Sequence, residues 1–295
     1  MVSSKTAGDR VFNVVNTIIL LILTFSCLYP IVYTLSLSLS SKEAVDGGKV
    51  VLWPIGFTLR SYKLIMQDDA FFHSVYVSVI RVVVGTTLNL FCMVLMSFPL
   101  SKTTQEYKPR NAIMWLLVFV MLFNGGTIPW YMTVRNYGLI DTIWALIFSG
   151  SISVFNIFLI VSFFRQIPQS LEEAAIVDGA GPWTVLFKVI IPISKPVLAT
   201  VLLFVSVGYW NEYLQGLLFI NSPANYPLQT YIKQIVVKIS ADISYTTEQL
   251  QELTKNSNQA LDAAKVFISM VPMLIFYPFI QKYFVTGITL GAVKG

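Results

Sequence analysis

The sequence predicts an all-α polytopic membrane protein with six transmembrane helices. Its 295 residues are 55% hydrophobic and only 12% charged, with a mean hydropathy of +0.69, whereas a soluble domain carries about 25% charged residues. Several apolar runs reach the length of about 20 residues that a helix needs to cross the hydrocarbon core. These runs are too long and too continuous for the short strands of a membrane β-barrel. Lipid is therefore the expected solvent for most of the chain.

The first three predicted spans are residues 14–35, 72–100 and 112–124. The second contains Arg81 near its outer end, and a long cationic side chain in that position favours snorkelling to the interface over a role in binding substrate. The third leads into residues 125–130, where two glycines and a proline stand beside a tryptophan. This stretch predicts a break in the helix at membrane depth, where irregular backbone lines a cavity or is covered by protein.

The last three predicted spans are residues 142–164, 196–220 and 264–284. Asn156 is the one strongly polar side chain of the fourth span. The fifth contains the most polar cluster of any span, residues 209–213. A long polar segment, residues 221–264, separates the fifth span from the sixth.

The distribution of Lys and Arg predicts the orientation of the spans. Six spans place both termini on one side, and the short loops on that side carry the cations that mark cytoplasmic loops. We therefore expect residues 1–13 to be a cytoplasmic N-terminal segment and residues 14–295 to form a single transmembrane domain. The loop of residues 165–195 is expected in the cytoplasm, and residues 221–264 on the extracytoplasmic side.

Composition also disfavours several functions. The net charge of +5 is that of a membrane protein with basic cytoplasmic loops, and no basic cluster interleaved with aromatics indicates a nucleic-acid partner. Cys27 and Cys92 lie inside apolar spans and form no disulfide or metal pattern. His73 is the only histidine of the chain. We therefore predict no catalytic residues, no metal site and no cofactor.

The loop of residues 165–195 has the signals of a short helix. Ser170 and Glu173 have the spacing of a capping box, which predicts a helix over residues 171–178. Gly179 is placed to end this helix with a positive φ angle.

A second short helix is predicted to begin with Pro182 in its first turn and to end at Pro192. The first helix spans only about two turns, too few for stability in water. Its apolar residues fall on more than one face, and acidic residues stand among them. The pattern alone leaves two interpretations open, a helix that binds a partner or a self-contained turn at the interface.

The same loop contains a spaced pattern, Glu173-Ala174-Ala175, Gly179, Val189 and Ile191-Pro192. Its gaps of three, nine and one residues resemble the EAA motif of ATP-binding cassette (ABC) importer permeases. Val189 and Ile191 are conservative departures from the Ile and Leu of that motif. Residues 138–142, 178–180 and 281–295 are similar to the carbohydrate branch of the family.

The resemblance implies a type I ABC importer permease, whose coupling helix docks in a groove of a separate ATPase. The residues that it assigns to this contact are Glu172, Glu173, Ala174, Ala175, Asp178 and Gly179. It implies as partners a second permease chain in a heterodimer, two copies of a cytoplasmic ATPase and an extracytoplasmic solute-binding protein. The location implied is a bacterial inner membrane. The sequence has no Gly-x-x-x-x-Gly-Lys-Ser/Thr phosphate loop, so ATP is expected to bind only to the partner.

The function implied is translocation of a sugar or oligosaccharide delivered by the binding protein, with residues 221–264 forming part of its docking surface. The candidate substrate-pathway residues are Tyr209, Trp210, Asn211, Glu212 and Asn156. For Asn211 and Glu212 this role and a purely structural one, such as a hydrogen bond between helices, both stay open. An ion-gradient-driven secondary transporter or channel subunit is the alternative. It would need paired buried acids, and Glu212 is the only acid well inside a span. A membrane-embedded enzyme is disfavoured by the single histidine.

Overall fold

A computed structural model describes residues 7–150, 152–241 and 259–292 of the chain. The described residues are mostly helical and contain no β-strand. They divide into two compact units, one comprising Met1–Asp69 and Ile232–Val271 and the other Ala70–Tyr231 and Pro272–Gly295. The expectation of one transmembrane domain over residues 14–295 stays a prediction.

In the first unit, helix α1 (Ala7–Ser38) confirms the first predicted span and includes Pro30. Two short helices, α2 (Lys42–Asp46) and α3 (Arg60–Ile65), interrupt the connection that follows. The Ser40 hydroxyl holds this connection against the end of α1, because it donates to Ser36 O at 2.6 Å and accepts from the Ile55 amide at 3.0 Å.

The second unit begins with α4 (Asp69–Ser101), an unbroken helix of 33 residues that confirms the second predicted span. Helices α5 (Arg110–Leu122) and α6 (Thr127–Asn136) follow, bent by 116° at the break between them. The break predicted over residues 125–130 is confirmed at residues 125 and 126, and α6 already begins at Thr127. Gly126 has a φ angle of 84° there, which a side chain would disfavour.

The fourth predicted span, residues 142–164, is not one helix, and in this respect the prediction is wrong. It consists of α7 (Ile143–Phe148) and α8 (Val154–Phe164). Each has its own N-cap, since the Thr142 side chain accepts from the Ala145 amide and the Ser153 side chain from the Asn156 amide. The stretch between the two helices includes Gly150.

The fifth predicted span is broken as well. Helix α9 (Gln169–Val177) precedes α10 (Pro182–Ile193), which contains a π-helical segment over Val185–Ile190. Helix α11 (Lys195–Asn211) then ends inside the polar cluster of residues 209–213, and α12 (Leu214–Phe219) restarts the helix. The continuous span predicted over residues 196–220 is therefore wrong at its polar cluster.

The chain continues through a 3₁₀ turn (Pro223–Asn225) to α13 (Leu228–Ala241). Helix α14 (Gln259–Ala292) contains the sixth predicted span. Residues 242–258, which belong to the long polar segment predicted on the extracytoplasmic side, lie outside the described residues. Three described helices are long and apolar enough to cross a membrane, and six spans result when each of three bent pairs is counted as one. The prediction of six spans is confirmed on that count.

The main apolar core of the second unit joins one end of α4 to α5, α8, α10 and α11. Its fully buried side chains include Met93, Leu100, Ile160, Leu186, Ile190 and Val201. Ala175 of α9 and Ala180 just after it are half-buried against this core. The short α9 is thus anchored to the membrane helices along one side.

Candidate functional site

Helix α9 begins differently from the prediction. The capping box of Ser170 and Glu173 is wrong, because Pro168 is the N-cap residue and no side chain caps the helix. The helix begins two residues earlier than expected, at Gln169, so that Ser170 lies inside its first turn. A capping box does form in the neighbouring loop, where the Glu106 carboxylate accepts from the Thr103 amide at 2.8 Å and the Thr103 hydroxyl accepts from the Glu106 amide at 3.3 Å.

The pKa of Glu106 is lowered as a result. The hydrogen bond from the Thr103 hydroxyl to the Glu106 carboxylate is the larger cause, and the bond from the Thr103 amide adds to it.

The end of α9 follows the prediction. Gly179 has a φ angle of 85°. Its amide donates to Ile176 O at 2.9 Å, and the Ala180 amide donates to Ala175 O at 2.9 Å. These two bonds form a Schellman motif, in which the residue after the C-cap adopts a left-handed conformation. A Cβ atom on Gly179 would meet no neighbouring atom within 4 Å. The positive φ angle, and not a lack of space, is therefore the reason that glycine is favoured here.

The two sides of α9 differ in what they contact. Glu172 faces the rest of the chain, where its carboxylate accepts a hydrogen bond from the Lys102 ammonium. Glu173, Ala174 and Asp178 are exposed, and Val177 is 86% exposed. A helix of this length is not stable in water through its own hydrogen bonds alone and depends on contacts with other groups. Its exposed residues form a face suited to such a contact with a partner.

Cations converge on the end of α4, which lies beside α9. Arg110 donates to Leu100 O at 3.1 Å, and Arg165 donates to the same oxygen at 3.4 Å. The Lys102 ammonium lies 4.6 Å from the centroid of the Phe98 ring. The last carbonyl groups of a helix carry partial negative charge, so these cations stabilise the end of α4 and hold the loop of α9 against it.

A second polar region lies in the interior, around Arg81 of α4. The prediction that Arg81 snorkels to the interface is wrong, because its side chain is only 1% exposed. Its guanidinium donates to Leu146 O at 3.3 Å, to Glu212 O at 2.9 Å and to the Gln215 side chain. The breaks after α7 and α11 leave carbonyl groups without helical partners, and Arg81 supplies donors to both.

Tyr209 of α11 completes this interior cluster. Its hydroxyl donates to Ile147 O at 2.7 Å and accepts from the Asn89 side chain at 2.5 Å. Its ring packs between two glycines. A Cβ atom on Gly85 would lie 2.7 Å from the ring, and one on Gly150 would lie 2.6 Å from the hydroxyl oxygen.

A cavity of about 210 Å³ opens beside this cluster. Its polar lining consists of Arg81, Asn89, Ser153, Tyr209, Glu212 and Gln215. The Glu212 carboxylate also caps α12, since it accepts from the Leu214 amide at 2.6 Å.

The cavity includes two of the predicted pathway residues, Tyr209 and Glu212. Trp210 and Asn156 are buried outside this lining, and Asn211 is exposed outside it. Sequence reasoning missed Asn89 and Gln215, although polar side chains in apolar spans are a signal that could have found them. Within the described part of the chain, no group of three His, Cys, Asp or Glu residues is arranged to hold a metal ion.

Interrupted helices beside a buried polar cluster are a recurring feature of membrane transporters. Residues 70–290 match the family of binding-protein-dependent transport system inner membrane components, and the chain belongs to this family. The resemblance drawn from the EAA spacing is confirmed.

The chain is similar to known permeases over almost its full length. It is 36% identical to the polygalacturonan/rhamnogalacturonan transport system permease protein YtcP of Bacillus subtilis, over 97% of this chain and 99% of that protein. It is 37% identical to Protein LplC of the same organism, over 99% of this chain and 97% of that protein. A solved bacterial ABC transporter involved in the import of the acidic polysaccharide alginate contains a chain that is 33% identical, with a TM-score of 0.85 over 95% of this chain and 99% of that one. These likenesses confirm the all-α permease fold.

Proposed function

We propose that this chain moves an oligosaccharide across a bacterial inner membrane as one permease subunit of an ABC importer. The observation that carries the proposal is the difference between the two sides of α9. One side is hydrogen-bonded to the end of α4, and the other exposes Glu173, Ala174, Val177 and Asp178. The names of the similar permeases, which refer to polygalacturonan and to alginate, support a carbohydrate as the substrate.

The energy for transport comes from a separate ATPase in this proposal. The chain has no Gly-x-x-x-x-Gly-Lys-Ser/Thr phosphate loop, so ATP binds to the partner ATPase in this proposal, and the chain itself uses no cofactor. Two ATPase copies serve a heterodimer of this chain and a second permease. The exposed residues of α9, together with Gly179, form the contact to one ATPase, whereas Ala175 packs against the core of this chain. Both termini lie in the cytoplasm.

On the outer side, residues 221–264 receive a solute-binding protein. The sugar then passes the cavity beside Tyr209, which offers an aromatic ring together with the amide groups of Asn89 and Gln215. Such a combination suits the apolar faces and hydroxyl groups of a sugar. An ion-gradient mechanism has less support, because Glu212 is the only acid in the described lining of this cavity and its carboxylate caps α12.

The test is co-expression of the chain with the ATPase, second permease and binding protein of its own host, followed by uptake of labelled oligogalacturonides and of neutral oligosaccharides. We expect ATP-dependent uptake. Glu173→Lys should abolish uptake and co-purification of the ATPase while the chain still inserts, because the substitution reverses a charge on the exposed face. Gln166→Lys introduces the same lysine side chain at an exposed position before α9 and serves as the control. Normal uptake and assembly in Glu173→Lys would contradict the proposal.

A further inference from the structure

We propose that the ion pair between Glu172 and Lys102 transmits the movement of α9 to α4. Glu172 is then a positioning residue inside the chain rather than a contact to the ATPase. This inference rests on the proposed function, because it assigns a route for the force that the ATPase applies to α9.

The first step of the argument is the direction in which Glu172 points. Successive residues of a helix are about 100° apart around its axis. Glu172 and Glu173 therefore face different surroundings, although they are chemically the same. The Glu173 side chain is exposed, whereas the Glu172 side chain retains only 18% exposure and contacts the Lys102 ammonium. The inward acid is engaged within the chain, and the outward acid is available to a partner.

The second step is the anchorage of Lys102. Its side chain is 20% exposed and rests on the Phe98 ring, one turn back along α4. Leu100, between them, is fully buried, and its carbonyl oxygen accepts from Arg110 and Arg165. A pull on Lys102 therefore acts on a helix end that is fixed by packing and by hydrogen bonds.

The third step is the stiffness of α4. The other spans of the second unit that start or end near α9 are bent pairs, with angles of 73° at α8 and α9 and 82° at α10 and α11. Helix α4 has no such break over its 33 residues. The rise of an α-helix is about 1.5 Å per residue, so α4 connects Ser101 to Arg81 over about 30 Å. Arg81, Gly85 and Asn89 of α4 belong to the interior cluster. A displacement at Lys102 therefore reaches the cavity.

The fourth step concerns the need for a charged link. The other inward residue of α9, Ala175, contacts the core only through apolar packing. Packing between small side chains resists separation but allows sliding along the surface. A carboxylate and an ammonium group fix the position of α9 along α4, because the hydrogen bond between them is directional.

The experiment uses the complete importer, reconstituted in proteoliposomes with its binding protein and short oligogalacturonides or whichever oligosaccharide the uptake test identifies. The variants are Glu172→Gln, Lys102→Met, and the double exchange Glu172→Lys with Lys102→Glu. The measured quantities are the assembly of the complex, the rate of ATP hydrolysis and the number of substrate molecules imported per ATP. Glu43→Gln is the control, because it removes one carboxylate from an exposed position in the first unit, whereas Glu106 interacts with Lys102 itself.

We expect both single variants to assemble and to hydrolyse ATP, but to import about two- to five-fold less substrate per ATP, the change that loss of a partly exposed ion pair produces in an equilibrium constant. The double exchange should restore part of this ratio, and Glu43→Gln should leave it unchanged. An unchanged ratio in Glu172→Gln and Lys102→Met would overturn the inference. Loss of ATPase binding in Glu172→Gln would also overturn the inference, because Glu172 would then be a contact to the ATPase. A failure of the proposed function is distinguishable, because the unmodified complex would then import nothing.

Discussion

The α9 loop lies beside the C-terminal end of α4, and the interior cluster around Arg81 lies near the middle of the same helix. The two regions are built in opposite ways. The α9 loop takes its shape from neighbours in sequence, with Pro168 before the helix and Gly179 after it. The cluster joins residues far apart in sequence, since Arg81 bonds to Leu146 and Glu212. The α9 loop exposes most of its charged side chains, whereas the cluster buries its polar side chains.

The two regions differ because they serve different tasks, contact with another protein and a polar path through the membrane. A helix that must meet another protein needs a defined shape and free side chains, and local signals such as a Schellman motif provide both. A polar path through a membrane needs irregular backbone whose carbonyl groups are satisfied by the protein itself. Arg81 and Tyr209 perform that role at the breaks after α7 and α11. We therefore expect substitutions in the cluster to affect folding and substitutions in the loop to affect coupling.

The largest effect is expected from Arg81→Met. It removes the donors to Leu146 O, Glu212 O and the Gln215 side chain. A buried acceptor without a donor costs about 1–3 kcal/mol, so the chain should lose most of its accumulation in the membrane. The measurement is the amount and thermal stability of the detergent-solubilised protein. Arg135→Met, which changes an exposed arginine, is the control. Equal stability of the two variants would contradict the role of Arg81.

The next effect concerns the glycines against Tyr209. Gly85→Ala and Gly150→Ala each place a methyl group within 2.7 Å of a Tyr209 atom. Such overpacking costs about 1–3 kcal/mol, so both variants should melt at a lower temperature than the unmodified protein.

Gly208→Ala is the matched control, since its methyl group would meet no atom within 4 Å. It should be neutral or slightly stabilising, because alanine favours a helix over glycine by about 1 kcal/mol. Lower stability of Gly208→Ala than of Gly85→Ala would refute the packing described for Tyr209.

A smaller effect is expected at the end of α9. Gly179→Ala forces a side chain into the left-handed region at a cost of about 1–2 kcal/mol. The variant should still insert, with a slightly lower melting temperature, but import less substrate, because the geometry of α9 changes. Gly181→Ala is the control, since Gly181 has a φ angle of −76° that any residue adopts. The comparison is made by ATP-dependent uptake, and equal uptake would show that the Schellman motif is dispensable.

The smallest effect concerns Glu106. Its folded-state pKa lies below that of a free glutamate because Thr103 donates to its carboxylate. The bonds therefore stabilise the loop above the pKa of the unfolded chain, and this contribution is lost as the pH falls through the lowered pKa of the folded state. Thr103→Ala should return the pKa of Glu106 towards its ordinary value. A carboxyl-carbon NMR titration of the detergent-solubilised protein measures this shift, and an unaltered titration in Thr103→Ala would argue against the bonds.

The loop could be predicted better than the cluster for a physical reason. Gly179 and Pro182 act on the backbone of their own neighbours, so their effect is visible in a short window of sequence. The capping box at Ser170 failed because two local signals competed, and Pro168 placed the start of the helix two residues earlier. Glu172 could not be distinguished from Glu173 by sequence, because only the packing of α9 decides which acid meets Lys102.

The amino-acid sequence by itself determined the membrane class of the protein, its six spans, the position of its exposed helix and, through the EAA spacing, its family. These depend on hydrophobic length and on local backbone preference, which act over one helix at a time. The tertiary structure decided where the fourth and fifth spans break and that Arg81 is buried. It also decided which polar residues share a cavity. Each of these outcomes depends on whether a free carbonyl finds a donor from a distant helix, and that pairing exists only after the helices have packed.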